Sequence, residues 1–121
     1  MKYLLLVHHK EQVLGGLSES ELGQMRDESV ELCNQIHSTG QYLDAAPLHP
    51  TSTATCVRVR DGKRLVTDGP FAETREQLCG YFLIDAKNLD EAMGIAARIP
   101  MARKGTVEIR PVIEVGGLPT V

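Results

Sequence analysis

The sequence predicts an α+β domain built on one antiparallel sheet with two helices on a single face. Three observations lead there. Apolar residues alternate with period two in several short runs, most clearly from Thr53 to Arg60 and from Val107 to Val115. Two other stretches repeat apolar residues at the helical period behind recognisable N-caps. Between two alternating runs stands Arg60-Asp61-Gly62-Lys63, and Asp-Gly in that setting closes a two-residue hairpin with both central residues at positive φ.

With 121 residues the chain fits one domain, residues 1–115, followed by a tail over 116–121 that could cross to a partner subunit. That length buries a core without staples. The formal net charge of -3 and the absence of a basic block argue against a nucleic-acid surface. No stretch approaches the 18 or so apolar residues of a membrane helix. The opening Met1-Lys2-Tyr3-Leu4-Leu5-Leu6-Val7 has too short an apolar run for a signal peptide and reads as a first strand. Cys33, Cys56 and Cys79 are odd in number and far apart, which points to a reducing, cytoplasmic setting and to small buried hydrophobes. No His, Asp and Glu set has metal-ligand spacing, and no cofactor motif is present, so neither metal nor cofactor is expected.

In the first strand Tyr3, Leu5, Val7 and His9 share one face and Lys2, Leu4, Leu6 and His8 the other. Both faces are apolar until the end, as in a strand covered on both sides. His8 and His9 then point to opposite faces at a strand tip, one of them to the face without helices, and a strand-end imidazole beside a cleft is a candidate acid, base or ligand. Gly15-Gly16 reads as a flexible connection. Ser18 with Glu21 three residues on forms a capping box. Leu22, Met25, Ser29, Leu32, Cys33 and Ile36 make the core stripe of the helix that follows, His37 falls by its C-terminus, and Gly40 is an αL stop.

Gln41 to Ser52 reads as a connection with a short extended piece at Tyr42-Leu43. The Asp-Gly hairpin follows, its second strand running from Lys63 to Thr67. Leu78 to Ala86 is a near-continuous apolar run, a central strand in which Gly80 marks a bulge or a close backbone approach. Asn88 caps a second helix with Glu91 at N3; Leu89, Ala92, Met93, Ala96, Ala97 and Ile99 are its expected core face, and Pro100 stops it. Val107 to Val115 is the last strand, with Pro111 placing part of it at an edge or bulge.

The order is β-α-β-β-α-β with an extra hairpin, the ferredoxin-like arrangement. Its second sheet face, expected to carry Tyr3 and Leu5, has no cover within one small domain. A second copy packed sheet to sheet supplies one and encloses a barrel-like interior suited to a small-molecule pocket.

Asp68-Gly69-Pro70-Phe71-Ala72-Glu73-Thr74-Arg75-Glu76-Gln77 joins the hairpin to the central strand. Pro70 fixes its own φ and keeps Gly69 out of the helical region, and Asp68, Glu73, Arg75 and Glu76 crowd acid and guanidinium groups around that corner. This loop, with Ser52 to Gly62, Leu65 to Leu78, Gly80-Tyr81-Phe82-Leu83-Ile84 and Gly105 to Val112, resembles the bacterial DGPF-domain family, also called YCII-related. The resemblance implies a dimeric α/β barrel. It also implies an association with sigma factors for some relatives, and acid–base chemistry through a His–Asp pair for others. Ser18 to Leu32 holds no histidine, so that pair is not carried over.

Two functions follow as expectations. In the first, a homodimer pocket takes a small oxygenated or anionic ligand. His8, His9, Asp68 and Glu73 are then the candidate acid–base groups, and Arg58, Phe71, Tyr81 and Arg110 the ligand-binding ones. Cofactor-free proton transfer or elimination is the economical chemistry, with an arginine or a backbone N–H stabilising the developing anion. In the second, the domain is a non-catalytic sensor or interaction module linked to transcription control, and Asp68 braces its loop.

Overall fold

The computed structural model describes residues 1–119. Its elements are β1 (Lys2–His9), α1 (Glu11–Gly15), α2 (Glu19–Ser38), β2 (Tyr42–Pro47), β3 (Thr55–Arg60), β4 (Lys63–Asp68), β5 (Gln77–Asp85), α3 (Leu89–Ala96) and β6 (Thr106–Pro111), with 3-10 turns at Thr51–Thr53 and Pro100–Arg103. The main sheet runs β2-β5-β1-β6 with every neighbouring pair antiparallel, while β3 and β4 form a separate two-stranded ribbon. Leaving the ribbon aside, this is the strand order of a ferredoxin-like α+β fold.

One core holds the domain together. Tyr3, Leu5 and Val7 of β1 and Phe82 and Ile84 of β5 meet Leu32 and Ile36 of α2 and Ala92, Ile95 and Ala96 of α3, so both long helices lie on the same sheet face. Leu5 and Ile84 are wholly buried, each contributing roughly 1.5–3 kcal/mol by leaving water. The expectation that Tyr3 and Leu5 face away from the helices is therefore reversed. Residues on the open face are Leu4, Leu6 and His8, all half-buried. Alternation alone cannot distinguish two apolar faces, and the helices took the face that Tyr3 and Val7 share with the aromatic ring of Phe82.

The local chemistry explains the boundaries. At the start of α2 the Glu21 amide donates to the Ser18 hydroxyl oxygen (3.1 Å) and the Ser18 amide to the Glu21 carboxylate (3.2 Å), the reciprocal box that satisfies free helix-end donors. Asn88 caps α3 through the Glu91 amide at 3.0 Å. Asp61 and Gly62 stand at φ 50° and 72°, as the twist of a tight hairpin demands. Gly69, before Pro70, lies at φ 90°.

Other expectations needed correction. Where a flexible connection was expected, the short α1 forms, and Tyr42-Leu43 extends into a full edge strand because β5 offers Phe82 and Tyr81 as partners for Ala45 and Ala46. Of the expected core face after Asn88, Ala92, Ala96 and Ile99 are buried and Ile95 joins them, whereas Leu89, Met93 and Ala97 are exposed. β6 stops at Pro111, leaving Ile113 and Val115 exposed. One further bond, from the Val112 amide to the Lys2 carbonyl at 2.9 Å, closes the pairing where β1 itself begins. Of the tail, Gly116 to Pro119 is described and contains a turn, whereas Thr120 and Val121 lie outside the described residues.

The β1–β5 ladder slips between Val7 and His8. Val7 faces Gly80 and His8 faces Leu78, so Cys79 is the extra residue of a β-bulge. Gly80 lies against β2, where a Cβ would stand 3.1 Å from the Ala46 carbonyl oxygen and 3.4 Å from the Pro47 Cα. Both readings of Gly80, bulge and close approach, thus apply to one corner.

Candidate functional site

Two surfaces gather polar and titratable side chains, one on each side of the sheet. On the open face, cross-strand register sets Leu6 between Tyr81 and Glu108, Leu4 between Leu83 and Arg110, and His8 between Leu78 and Thr106. His8 Nε2 lies 3.1 Å from Glu108 Oε1, and the Arg110 guanidinium lies 3.6 Å from the other oxygen of the same carboxylate. Across Leu6 and toward the sheet edge, the Tyr81 hydroxyl donates to Asp44 at 2.8 Å. That hydrogen bond, followed by desolvation and the Asp44 charge, pushes the Tyr81 phenol above its ordinary pKa. The open face is thus a leucine strip with a His–Glu–Arg cluster on one side and a Tyr–Asp pair on the other.

On the helix side, α2 stands away from the sheet along its N-terminal half. Only Leu32 and Ile36 of this helix are fully buried. Between it and β2 and β5 lies a cavity of about 670 Å³. Its apolar wall includes Leu14, Leu22, Met25, Leu48 and Met101; Arg26, Ser29, Asn34 and His37 bring polar groups from successive turns of α2. No carboxylate lines it among the described residues. Cys33 and Cys79 contribute thiols, and burial pushes both above their ordinary pKa. The Cys79 thiol donates to the Val7 carbonyl at 3.3 Å, so both serve as small, protonated hydrophobes.

The sequence candidates divide between these surfaces and the outside. His8, Tyr81 and Arg110 share the open face. His9 takes the opposite side, as its place in the alternation requires, and is 1% exposed. Its Nδ1 lies 3.0 Å from the Lys10 carbonyl, which only accepts, so Nδ1 carries the proton and Nε2 is buried without a partner. Gly105 packs on it, 3.1 Å from a built Cβ position to the ring Cδ2. Arg58 lies on the ribbon, and Asp68, Phe71 and Glu73 stand exposed around the loop, Phe71 at 82%. None of these four lines the cavity.

The loop is braced from its far end. Gln77 accepts the Glu11 amide at 3.0 Å and donates to the Thr74 carbonyl at 2.6 Å, while the Glu11 carboxylate receives the Thr51 amide and hydroxyl at 2.7 and 2.9 Å. Glu11 thereby ties α1, the turn at Thr51–Thr53 and the loop into one unit.

Sequence reading missed Glu108, Asp44, Arg26 and Asn34. Their signal was three-dimensional: Glu108 matters because β6 pairs with β1 in a register that puts it beside His8. His37 lies in the last turn of α2, as expected, and its ring also meets Tyr42 edge-on at 6.1 Å and borders the cavity. Among the described residues no three His, Cys, Asp or Glu side chains gather closely enough to hold a metal ion. Nor, among the described residues, is any helix long and apolar enough to cross a membrane.

Fold and site together define a small ferredoxin-like α+β domain with a ribbon inserted between its second and third sheet strands. The YCII-related domain model matches residues 1–116, and the chain belongs to that family. It is also 35% identical over 113 residues to an uncharacterized protein of Rhizobium meliloti (strain 1021), covering 92% of this chain and 91% of that one.

Proposed function

We propose that the protein is a homodimeric small-molecule binding protein whose ligand has an apolar body and an oxygenated or anionic end, held in the helix-side cavity. The cavity carries this reading: about 670 Å³ is the size of a small-molecule site, mostly apolar with a few convergent donors. Arg26, Asn34 and His37 offer donors, and with no carboxylate in the wall among the described residues, the electrostatics favour an acidic or carbonyl group over an amine. The homodimer covers the leucine strip of the open face, sheet against sheet.

A thermal-shift screen of paired carboxylic acids and their methyl esters tests the ligand class. The acids should raise the melting temperature more than the esters, and Arg26→Ala should remove the difference. Equal shifts for acid and ester, or none in the millimolar range, would sink the proposal.

A second reading rests on the 3.1 Å contact between His8 and Glu108. A carboxylate-oriented imidazole beside Arg110 has the parts for cofactor-free proton transfer, and sheet-to-sheet dimerisation excludes water from it. Asp68, Glu73, Arg58 and Phe71 join such a site only where the second protomer meets the loop and ribbon. Turnover that survives both His8→Gln and Glu108→Gln would exclude it; intact ligand-induced stabilisation with no turnover at all supports the sensor function instead.

A further inference from the structure

The β3–β4 ribbon buries almost nothing of itself. Register places Val57, Val59, Arg64 and Val66 on one face and Arg58, Arg60, Lys63 and Leu65 on the other. Val57, Val59 and Val66 are 59%, 63% and 55% exposed. Arg58, Lys63 and Arg64 make no ion pair among the described residues, and Arg60 reaches only the carbonyl of its neighbour Val59. A lone two-stranded ribbon is marginal in water. This one presents a valine face and a set of cations with nothing opposite them.

The same chain displays the complementary surface. Val30 of α2 is 60% exposed at the mouth of the helix-side cavity, and Asp27 and Glu31, exposed on the same helix, flank it. The chain as a whole is acidic, at -3, although the ribbon is basic. Six residues per strand extend about 20 Å at roughly 3.3 Å each, twice the ~10 Å between packed sheets. A ribbon of that length spans a sheet-to-sheet interface and reaches the flank of the second copy.

We infer that the ribbon is an arm that clasps a second copy of this chain, laying Val57, Val59 and Val66 over Val30 at the cavity mouth and setting Arg64 against Asp27 and Glu31. This deepens the ligand-binding reading and rests on its homodimer: each protomer lids the other's cavity. Charge complementarity selects the occupant, because Arg64, the cation on the valine face, finds its match in the acidic outer side of α2.

Sedimentation velocity over a concentration series tests it, with circular dichroism confirming that each variant is folded. Wild type should dimerise, and Val57→Asp/Val66→Asp should weaken the dimer at least about tenfold, as expected when central apolar contacts are lost. Arg64→Glu should also weaken it, and adding Asp27→Lys/Glu31→Lys to that variant should restore it. A dimer indifferent to both arm variants overturns the clasp and leaves the homodimer standing. Weakening by Arg64→Glu without restoration overturns the assignment to α2. A wild-type chain that stays monomeric overturns clasp and homodimer together, whereas acid-selective thermal shifts judge the cavity's ligand separately.

Discussion

The strands β1 and β3 carry similar apolar alternation and meet opposite fates. In β1 every second residue from Tyr3 to His9 is buried; in β3 Val57 and Val59 remain open to solvent, although β3 pairs residue for residue with β4. The difference is the third layer. β1 lies between two partner strands and beneath two helices, whereas the ribbon pairs only within itself and, among the described residues, has no layer on either face. Hydrogen-bonded pairing shapes a strand, and burial gives it stability.

That contrast can be broken most directly by trimming side chains. Leu5→Ala should cost about 2–5 kcal/mol, the usual loss for a buried leucine, while Val57→Ala at low protein concentration should stay within about 0.5 kcal/mol; urea unfolding of the two variants measures both. A large loss from Val57→Ala in the monomer would mean that the arm packs on its own domain.

Gly105→Ala comes next. A Cβ there collides with the His8 carbonyl oxygen and crowds the His9 ring, so roughly 1–3 kcal/mol is expected from overpacking. Its readout is the same unfolding midpoint, together with displaced His8 and His9 ring signals in NMR.

Gly62→Ala sharpens the comparison from the arm's side. Gly62 sits at φ 72°, and a side chain in that region costs about 1–2 kcal/mol. The cost should stay local. Amide exchange should quicken across β3 and β4 and remain unchanged in β1 and β5.

The smallest effect is a pH dependence at the start of α2. The Ser18 amide, then the Ser18 hydroxyl, hold the Glu21 carboxyl below its ordinary pKa. A depressed folded value means that its stabilisation is complete above the ordinary carboxylate range and is lost as pH falls through the folded value. Glu21→Gln, which removes the titrating group, should flatten that acid-side slope in a series of melting curves, and an unchanged slope would remove the capping box as its cause.

Much of this architecture was legible because local chemistry wrote it. Ser18 with Glu21, Asn88 with Glu91, and Asp61-Gly62 each announce a boundary within a few residues, and each forms as expected. Which face of β1 meets the helices was not legible, since Leu4 and Leu6 are as apolar as Leu5. The strand β2 was hidden because Asp44 and Pro47 look like loop residues until β5 supplies a ladder. For the site, alternation separated His8 from His9, yet the companions of His8 come from a strand about a hundred residues later in the chain, and only register brings Glu108 and Arg110 beside it. The cavity was invisible for a related reason: Arg26, Asn34 and His37 are polar residues outside the core stripe of α2, and only the helix's stand-off from the sheet brings them to a cavity wall.

The bulge at Cys79 has a consequence for chain length as distinct from side-chain identity. Deleting Cys79 leaves Val7 opposite Gly80 and His8 opposite Leu78, a continuous ladder in which each remaining residue keeps its face. Deleting Leu83 instead turns the strand over from that point and drives Ile84 toward solvent. A single-codon deletion scan across β5 should therefore find one tolerated gap, at the residue the ladder already skips.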